Sequence, residues 1–200
     1  MDTTDPCSPP ASADARDIED MKRLASGHDA ALNDLMDRHA GPIFHFLSRM
    51  VGNEDDAHDL AQETFVRVFR SCKSFRADQK FSTWLYTIAA NLARNHFRWR
   101  SRHPTVPLET GPDLDGKKRE LPPAKGLHPD EMVISEERRR AVRIAVQRLP
   151  EELREAIVLC EWEDRTVAEA AEVLAATPKA VESRLYRARK TLREQLQRWW

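Results

Sequence analysis

At 200 residues, 40% apolar and 32% charged, the chain reads as a soluble protein of one domain or two small ones, with no run of about 18 apolar residues to span a membrane. A net charge of −1 suggests no polyanion partner, but it hides segregation: Arg94 to Arg102 holds four arginines and no acid, and residues 178–200 are net +5, and partners feel the local field. Cys7, Cys72 and Cys160 lack any C-x-x-C pairing, so neither a disulfide framework nor a zinc site is indicated, and a reducing, cytoplasmic compartment is expected.

Residues 1–16 are polar and proline-containing, a composition expected to form a disordered tail. Two helices follow, over Ile18–Ala25 and Ala30–Met50. Leu32, Leu35, Met36, Ile43, Phe46 and Leu47 supply the buried side, and Pro42 is a candidate kink. Asn53 is an N-cap for a helix running to about Ser71, with Glu54, Asp55 and Asp56 at its positive end. Ala57, Leu60, Ala61, Thr64, Phe65 and Val68 form the inner face of that helix. Asp55, Asp59, Gln62, Glu63 and Val66 form a mostly acidic outer one. That outer face is either a solvated surface stapled by Glu63 and Arg67 at i,i+4 or a partner-binding face. A di-metal carboxylate site needs a Glu-to-His motif on a second helix, which is missing.

Ser71–Lys80 breaks the periodicity and reads as a loop. It delivers the chain into Lys80–Arg102, the helix on which the first half is organised. Phe81, Leu85, Ile88 and Leu92 make one apolar face of this helix, and Tyr86, Ala90, Ala93 and Phe97 another, so it is sandwiched. Solvent is left a strip of Trp84, Thr87, Asn91, Arg94, Asn95 and Arg98, followed by Arg100 and Arg102. Guanidiniums neutralise phosphates and an aromatic can stack on an unpaired base. A basic helix end that only complements the helix dipole is the plainer alternative.

Residues 103–130 hold six of the twelve prolines and three of the six glycines and read as a linker. Beyond it, Met132, Val142, Val146 and Leu149 mark one helix, and Leu153, Ala156, Ile157 and Cys160 the next. Val167–Leu174 is a short helix. Thr177 caps and Pro178 opens a long helix with Val181, Leu185, Ala188 and Leu192 inward. A short turn between two helices, the second basic, makes a helix-turn-helix. Lys179, Ser183, Tyr186, Arg187 and Lys190 align outward, flanked by Arg184 and Arg189, where base edges and phosphates would be met.

The ordered series NEDDAHDLAQETFVRVFRSCKSF, KFSTWLYTIAANLARNHFR, linker, LPEELREAIVL and TPKAVESRLYRARKTLRE resembles the extracytoplasmic-function (ECF) sigma factors of bacterial RNA polymerase, over about residues 28–101 and 131–196. The resemblance implies an all-α, non-enzymatic protein without cofactor or metal. A region 2-like domain (17–102) and a region 4-like domain (131–200) would be joined by the linker. It further implies that Asp59, Gln62, Glu63 and Val66 dock on the polymerase β′ subunit, with β as a further contact. The Ser74–Phe81 loop with Phe75, Lys80, Phe81, Trp84, Asn91, Arg94 and Arg98 would read the −10 promoter element as single-stranded DNA. Lys179, Ser183, Arg184, Arg187 and Lys190 would address the −35 element as duplex, and an anti-sigma factor would hold the protein inactive. The sequence departs from the family at Ala175, Ala176 and Thr177, where Gly-hydrophobic-Ser is common, and at Asn95, where Asp is frequent. Two rivals stay open: a dimeric helix-turn-helix regulator acting alone, and a carboxylate-metal hydrolase built on Asp55–Glu63.

Overall fold

The computed structural model describes residues 13–103 and 129–197, the first seven of the second span as backbone alone. Eight α-helices are found there: α1 (Ala13–Ala25), α2 (Ala31–Val51), α3 (Glu54–Ser71), α4 (Phe81–Arg102), α5 (Pro129–Gln147), α6 (Glu151–Glu161), α7 (Val167–Val173) and α8 (Pro178–Leu196). No strand occurs among the described residues, in keeping with the all-α expectation. None of these helices is long and apolar enough to cross a membrane. Helices α1–α4 pack as one bundle and α5–α8 as a second, and α4 meets α7 while α2 meets α5 and α6.

Helix α1 starts at Ala13, inside the segment expected to be a disordered tail. The cause is a buried ionic cluster that sequence periodicity does not show. Asp17 accepts from Arg38 Nε at 3.0 Å and meets His39 Nε2 at 2.8 Å, and Asp20 accepts from Arg38 Nη2 at 2.6 Å. Burial raises the Asp17 pKa, but the bonds and charges of His39 and Arg38 outweigh it and hold the carboxyl below its usual range. Met21 and Leu24 complete the buried side of α1.

Helix α2 continues through Pro42 and closes at Gly52, whose φ of 78° is left-handed and whose N–H bonds the Ser48 carbonyl. Asn53 then caps α3 as expected, its side chain accepting from the Asp56 N–H at 2.9 Å. The predicted loop contains one 3-10 turn, Cys72–Ser74. Phe75 leaves it to contact the Phe81 and Trp84 rings at 6.0 and 5.3 Å, which fixes the loop to the start of α4. The expected linker begins within the cap of α4 at His103 and reaches into the start of α5; its middle, like residues 1–12 and the terminal Arg198, Trp199 and Trp200, lies outside the described residues.

In the second bundle, Thr166 and Glu169 form a capping box on α7, and Thr177 caps α8 by accepting from the Ala180 N–H. The turn between them carries Ala175 at φ 49°. The alanine thus stands in a left-handed backbone that glycine adopts without cost. It leaves a Cβ in the left-handed region, which costs about 1 kcal/mol.

Both bundles share one continuous apolar core, and a polar seam runs beside it. Tyr86 donates to Glu163 Oε2 at 2.6 Å, Arg49 reaches Glu163 Oε1 at 3.2 Å, and Arg165 bonds Ser82 Oγ at 2.9 Å while lying over the Tyr86 ring. Gln147 Nε2 and Arg154 Nη1 donate to the Arg49 and Met50 carbonyls, each at 2.6 Å. These bonds satisfy carbonyls that the end of α2 leaves without helical partners.

Ala175→Gly should stabilise the fold by about 1 kcal/mol, raising the midpoint of urea unfolding; an unchanged or lower midpoint contradicts the strained turn. At Gly52 an added Cβ would lie 2.7 Å from Gln147 Oε1. The end of the Gln147 side chain can swing aside, so Gly52→Ala should lower the urea midpoint chiefly by straining the left-handed cap at φ 78°, and adding Gln147→Ala should not restore it. Helicity by circular dichroism should be retained in both variants.

Candidate nucleic-acid interface

Three groups of side chains expected to meet partners are brought to the surface by three different elements. On α3, Asp59, Gln62 and Val66 are exposed and Glu63 is half-buried, bonded to Arg67 at 2.9 Å. Phe69, one turn beyond Val66, joins them. Val66 and Phe69 are 39% and 43% exposed, so the face is an apolar pair rimmed by acids rather than an acidic surface. Spacing from Gln62 and Val66 could have revealed Phe69, which the sequence reading placed on neither face of the helix. Side chains of the Asp55–Glu63 stretch weighed as metal ligands diverge: Asp56 faces Arg100 and His96, while the His58 ring lies tilted against Phe44 at 4.3 Å.

The second group surrounds the start of α4. Phe81 is fully buried, with His39 edge-on at 5.2 Å, so it supports the loop from beneath and does not present itself to a ligand. Trp84 is half-buried against Phe75 and Phe81. Asn91, Asn95 and Arg98 are exposed along the expected strip, with Arg98 Nη2 bonded to Asn95 Oδ1 at 2.7 Å. Further along, Trp99 is exposed and belongs to neither apolar face.

Two cations of this group are engaged by the other bundle. Lys80 Nζ lies 2.7 Å from Glu169 Oε1, while Glu169 Oε2 accepts from the Thr166 N–H and hydroxyl within the capping box. Bonding to Lys80 comes first among the causes that depress the Glu169 pKa to about 2. Arg94 donates from Nε to Glu155 and from Nη1 to Asn91 Oδ1. Burial raises the Glu155 and Glu163 pKa values despite the arginines near them, and burial with the Glu163 carboxylate pushes Tyr86 far above the usual phenol value. In this arrangement carboxylates of α6 and α7 are paired with Arg94 and Lys80.

The third group lies on α8. Lys179, Ser183, Arg187 and Lys190 are exposed in a row with Tyr186, which is 71% exposed. Arg184 is turned from that row toward α6, with Glu152 at 3.5 Å. The row has no carboxylate partner among the described residues and stands on a helix whose N-terminus is capped and open. Such a helix can enter a major groove, with side chains near its start meeting base edges.

The chain's similarities fall on the same segments. Residues 35–103 match the family model for sigma-70 region 2, and residues 139–192 match that for sigma-70 region 4. The ECF RNA polymerase sigma factor SigW of Bacillus subtilis is 31% identical over 176 residues, covering 88% of this chain and 94% of that protein. Among solved structures, CnrH in complex with the cytosolic domain of CnrY aligns at 27% identity with a TM-score of 0.65, over 91% of this chain and 97% of that one. The sigma factor RpoE, solved with the anti-sigma factor NepR from Bartonella quintana, shares the fold at 24% identity and a TM-score of 0.63, over 82% of this chain and 96% of that one. Two helical bundles with region 2 and region 4 signatures in this order, and full-length relatives of the same kind, place the chain in the extracytoplasmic-function group of sigma-70 factors, the subunits that direct bacterial RNA polymerase to promoters.

Proposed function

We propose that this sigma factor divides its work among the three surfaces, with residues 17–102 and 131–200 acting as separate domains and 103–130 as the connection between them. The α3 face of Asp59, Gln62, Glu63, Val66 and Phe69 docks on core polymerase. Exposed apolar side chains rimmed by charge are the usual form of such a contact. The loop from Phe75 to Lys80, with Trp84, Asn91, Arg94 and Arg98, captures the −10 element as unpaired strand. The α8 row of Lys179, Ser183, Arg187 and Lys190 reads the −35 element, with Arg184 available once it leaves Glu152. The observation that carries the reading is the pairing of Lys80 and Arg94 with Glu169 and Glu155. It joins the two bundles through cations that the −10 surface needs, so engagement of the promoter requires the seam to open.

Opening fits the job of the polymerase. Holding the bundles apart at a fixed spacing converts two weak DNA contacts into one linked contact with a high effective concentration. Melting is then a binding effect, in which captured bases offset the few kcal/mol needed to unstack them. The protein acts by binding alone, in the cytoplasm, without catalysis of its own. An anti-sigma factor is the expected inhibitor, and a partner that clasps both bundles would hold the seam shut. A regulator acting alone on duplex DNA leaves the α3 face and the aromatic loop without use.

Mixing the full chain with bacterial core RNA polymerase and a library of promoter fragments should give starts that share an upstream pair of motifs. Specific duplex binding by the chain alone, with no stimulation of core, would contradict the reading. With that promoter, Trp84→Ala should impair open-complex formation more than polymerase binding, whereas Phe69→Asp should cost polymerase binding at least tenfold. Arg187→Ala should weaken initiation by about tenfold or more on promoters that depend on the upstream motif and spare the rest. Finally, Glu169 keeps its stabilising contacts fully above the ordinary carboxyl pKa and loses them as pH falls toward about 2. Glu169→Gln should flatten that part of the acid-unfolding curve.

A further inference from the structure

Helix α5 carries an exposed basic face that none of the three surfaces above includes. From Glu136 to Arg148 five arginines stand against two acids, while Ala145, Val146 and Leu149 turn inward. Arg140, Arg143, Ile144 and Arg148 fall together on the outer side at 100° per residue, and all four are exposed. Ile144, 43% exposed, gives that side an apolar centre. Arg139 reaches Glu136 at 3.8 Å, but Arg140, Arg143 and Arg148 have no carboxylate partner among the described residues.

The route of the chain brings one occupant to this face. The Arg154 guanidinium lies over the Phe97 ring at 5.5 Å, and its Nη1 donates to Gln147 Oε1 at 3.1 Å. The last turns of α4 therefore stand beside the C-terminal end of α5. The chain leaves α4 at His103 and re-enters helix at Pro129, the start of α5, about 27 Å along the axis from Gln147. Residues 104–128 must thus travel back along the length of α5. The early part of that return is Leu108–Asp115, LETGPDLD, with Glu109, Asp113 and Asp115 and no base. The bases Lys117, Lys118, Arg119 and Lys125 come only afterwards. Three acids and two leucines are so delivered to the end of α5 where three arginines surround Ile144. Residues 116–128 can span about 43 Å when extended, enough to reach Pro129 from anywhere on the face.

We propose that Leu108–Asp115 is a strap that lies along the Arg140, Arg143, Ile144 and Arg148 face of α5 in the free chain, its carboxylates on the guanidiniums and its leucines beside Ile144. The docked strap cancels the charge of the face and leaves it little attraction for an outside polyanion. A separate acidic partner would have to displace a segment tethered nearby at high effective concentration. Exposed ion pairs contribute at most about 1 kcal/mol each and fade with salt, so the strap is held lightly and is exchangeable. The inference goes beyond the promoter and polymerase readings and does not depend on them.

Endoproteinase Asp-N cuts before aspartate, so the bonds at Asp113 and Asp115 report on the strap directly. The full chain is digested briefly, and cleavage there is compared with that of a synthetic peptide of residues 104–128. At low salt the chain should be cut several-fold more slowly than the peptide, and about 1 M salt should remove most of the difference. Arg140→Glu with Arg143→Glu and Arg148→Glu should speed cleavage about three- to tenfold, the size of a few exposed ion pairs, with helicity unchanged. The same reversal on α8, Lys179→Glu with Arg187→Glu and Lys190→Glu, should leave the wild-type rate. Cleavage of the wild-type chain as fast as the peptide, or protection that survives high salt or the α5 reversal, would overturn the proposal. So would equal effects of the two reversals, the sign of a long-range field, or protection that grows with protein concentration, the sign of a second copy on the face. Unchanged cleavage with lost heparin binding in the α5 variant would overturn it too, and assign the face to an outside polyanion. The salt comparison needs no variant and decides the matter even if the reversed chain fails to fold.

Discussion

Three carboxylates of the second bundle end on the first, and the arrangement of the molecule turns on them. Glu155 takes Arg94, Glu163 takes Tyr86 and Arg49, and Glu169 takes Lys80. Pairs of this kind add little net stability, because desolvation offsets most of the attraction, but losing one partner leaves a buried charge that is expensive. Apolar burial therefore supplies the adhesion between the bundles, and the carboxylates set their register. The seam is firm while every partner is present and weak once a competing anion takes one of the cations.

The competing anion is built into the function. On the proposed reading of α4, Lys80 and Arg94, which pair with Glu169 and Glu155, would also meet the DNA backbone, so closed protein and promoter complex would draw on the same charges. A free protein with a net charge near zero gains from that economy. In this arrangement Lys80 and Arg94 are paired with Glu169 and Glu155. The row on α8 remains outside the seam and keeps its charge in either state.

Helix α4 shows how one element can serve all of this. Tyr86, Ala90 and Ala93 face a core, and Phe81, Leu85, Ala89 and Leu92 extend burial round the helix. Only a narrow strip is free for polar work, so every side chain in it is constrained by rigid backbone. Phe75 and Phe81 hold Trp84 from one side, much as His103 holds Trp99 at the other end. The helix thus holds the side chains of the strip at fixed spacing.

Sequence alone determined the helices and their caps, because amphipathic period, Asn53, Thr177 and Pro178 act within a few residues of themselves. It also revealed the family, the order of the two bundles, and the outward rows on α3, α4 and α8, since a helix forces residues three and four apart onto one side. Its period placed Phe81 on an apolar face of α4, where the structure buries it, although the resemblance counted it among the DNA-reading residues. It did not show that Phe69 and Trp99 are exposed, or that Arg184 turns toward Glu152, because the type of a side chain near a helix edge does not say what packs beside it. Nor did it reveal the α1 cluster of Asp17, Arg38 and His39, or the seam, whose partners lie between 61 and 114 residues apart in the chain. Such contacts exist only once the apolar faces have closed and brought distant charges into a shared low-dielectric space, where pairing becomes obligatory. That step is a property of the packed molecule, and tertiary structure alone decided it.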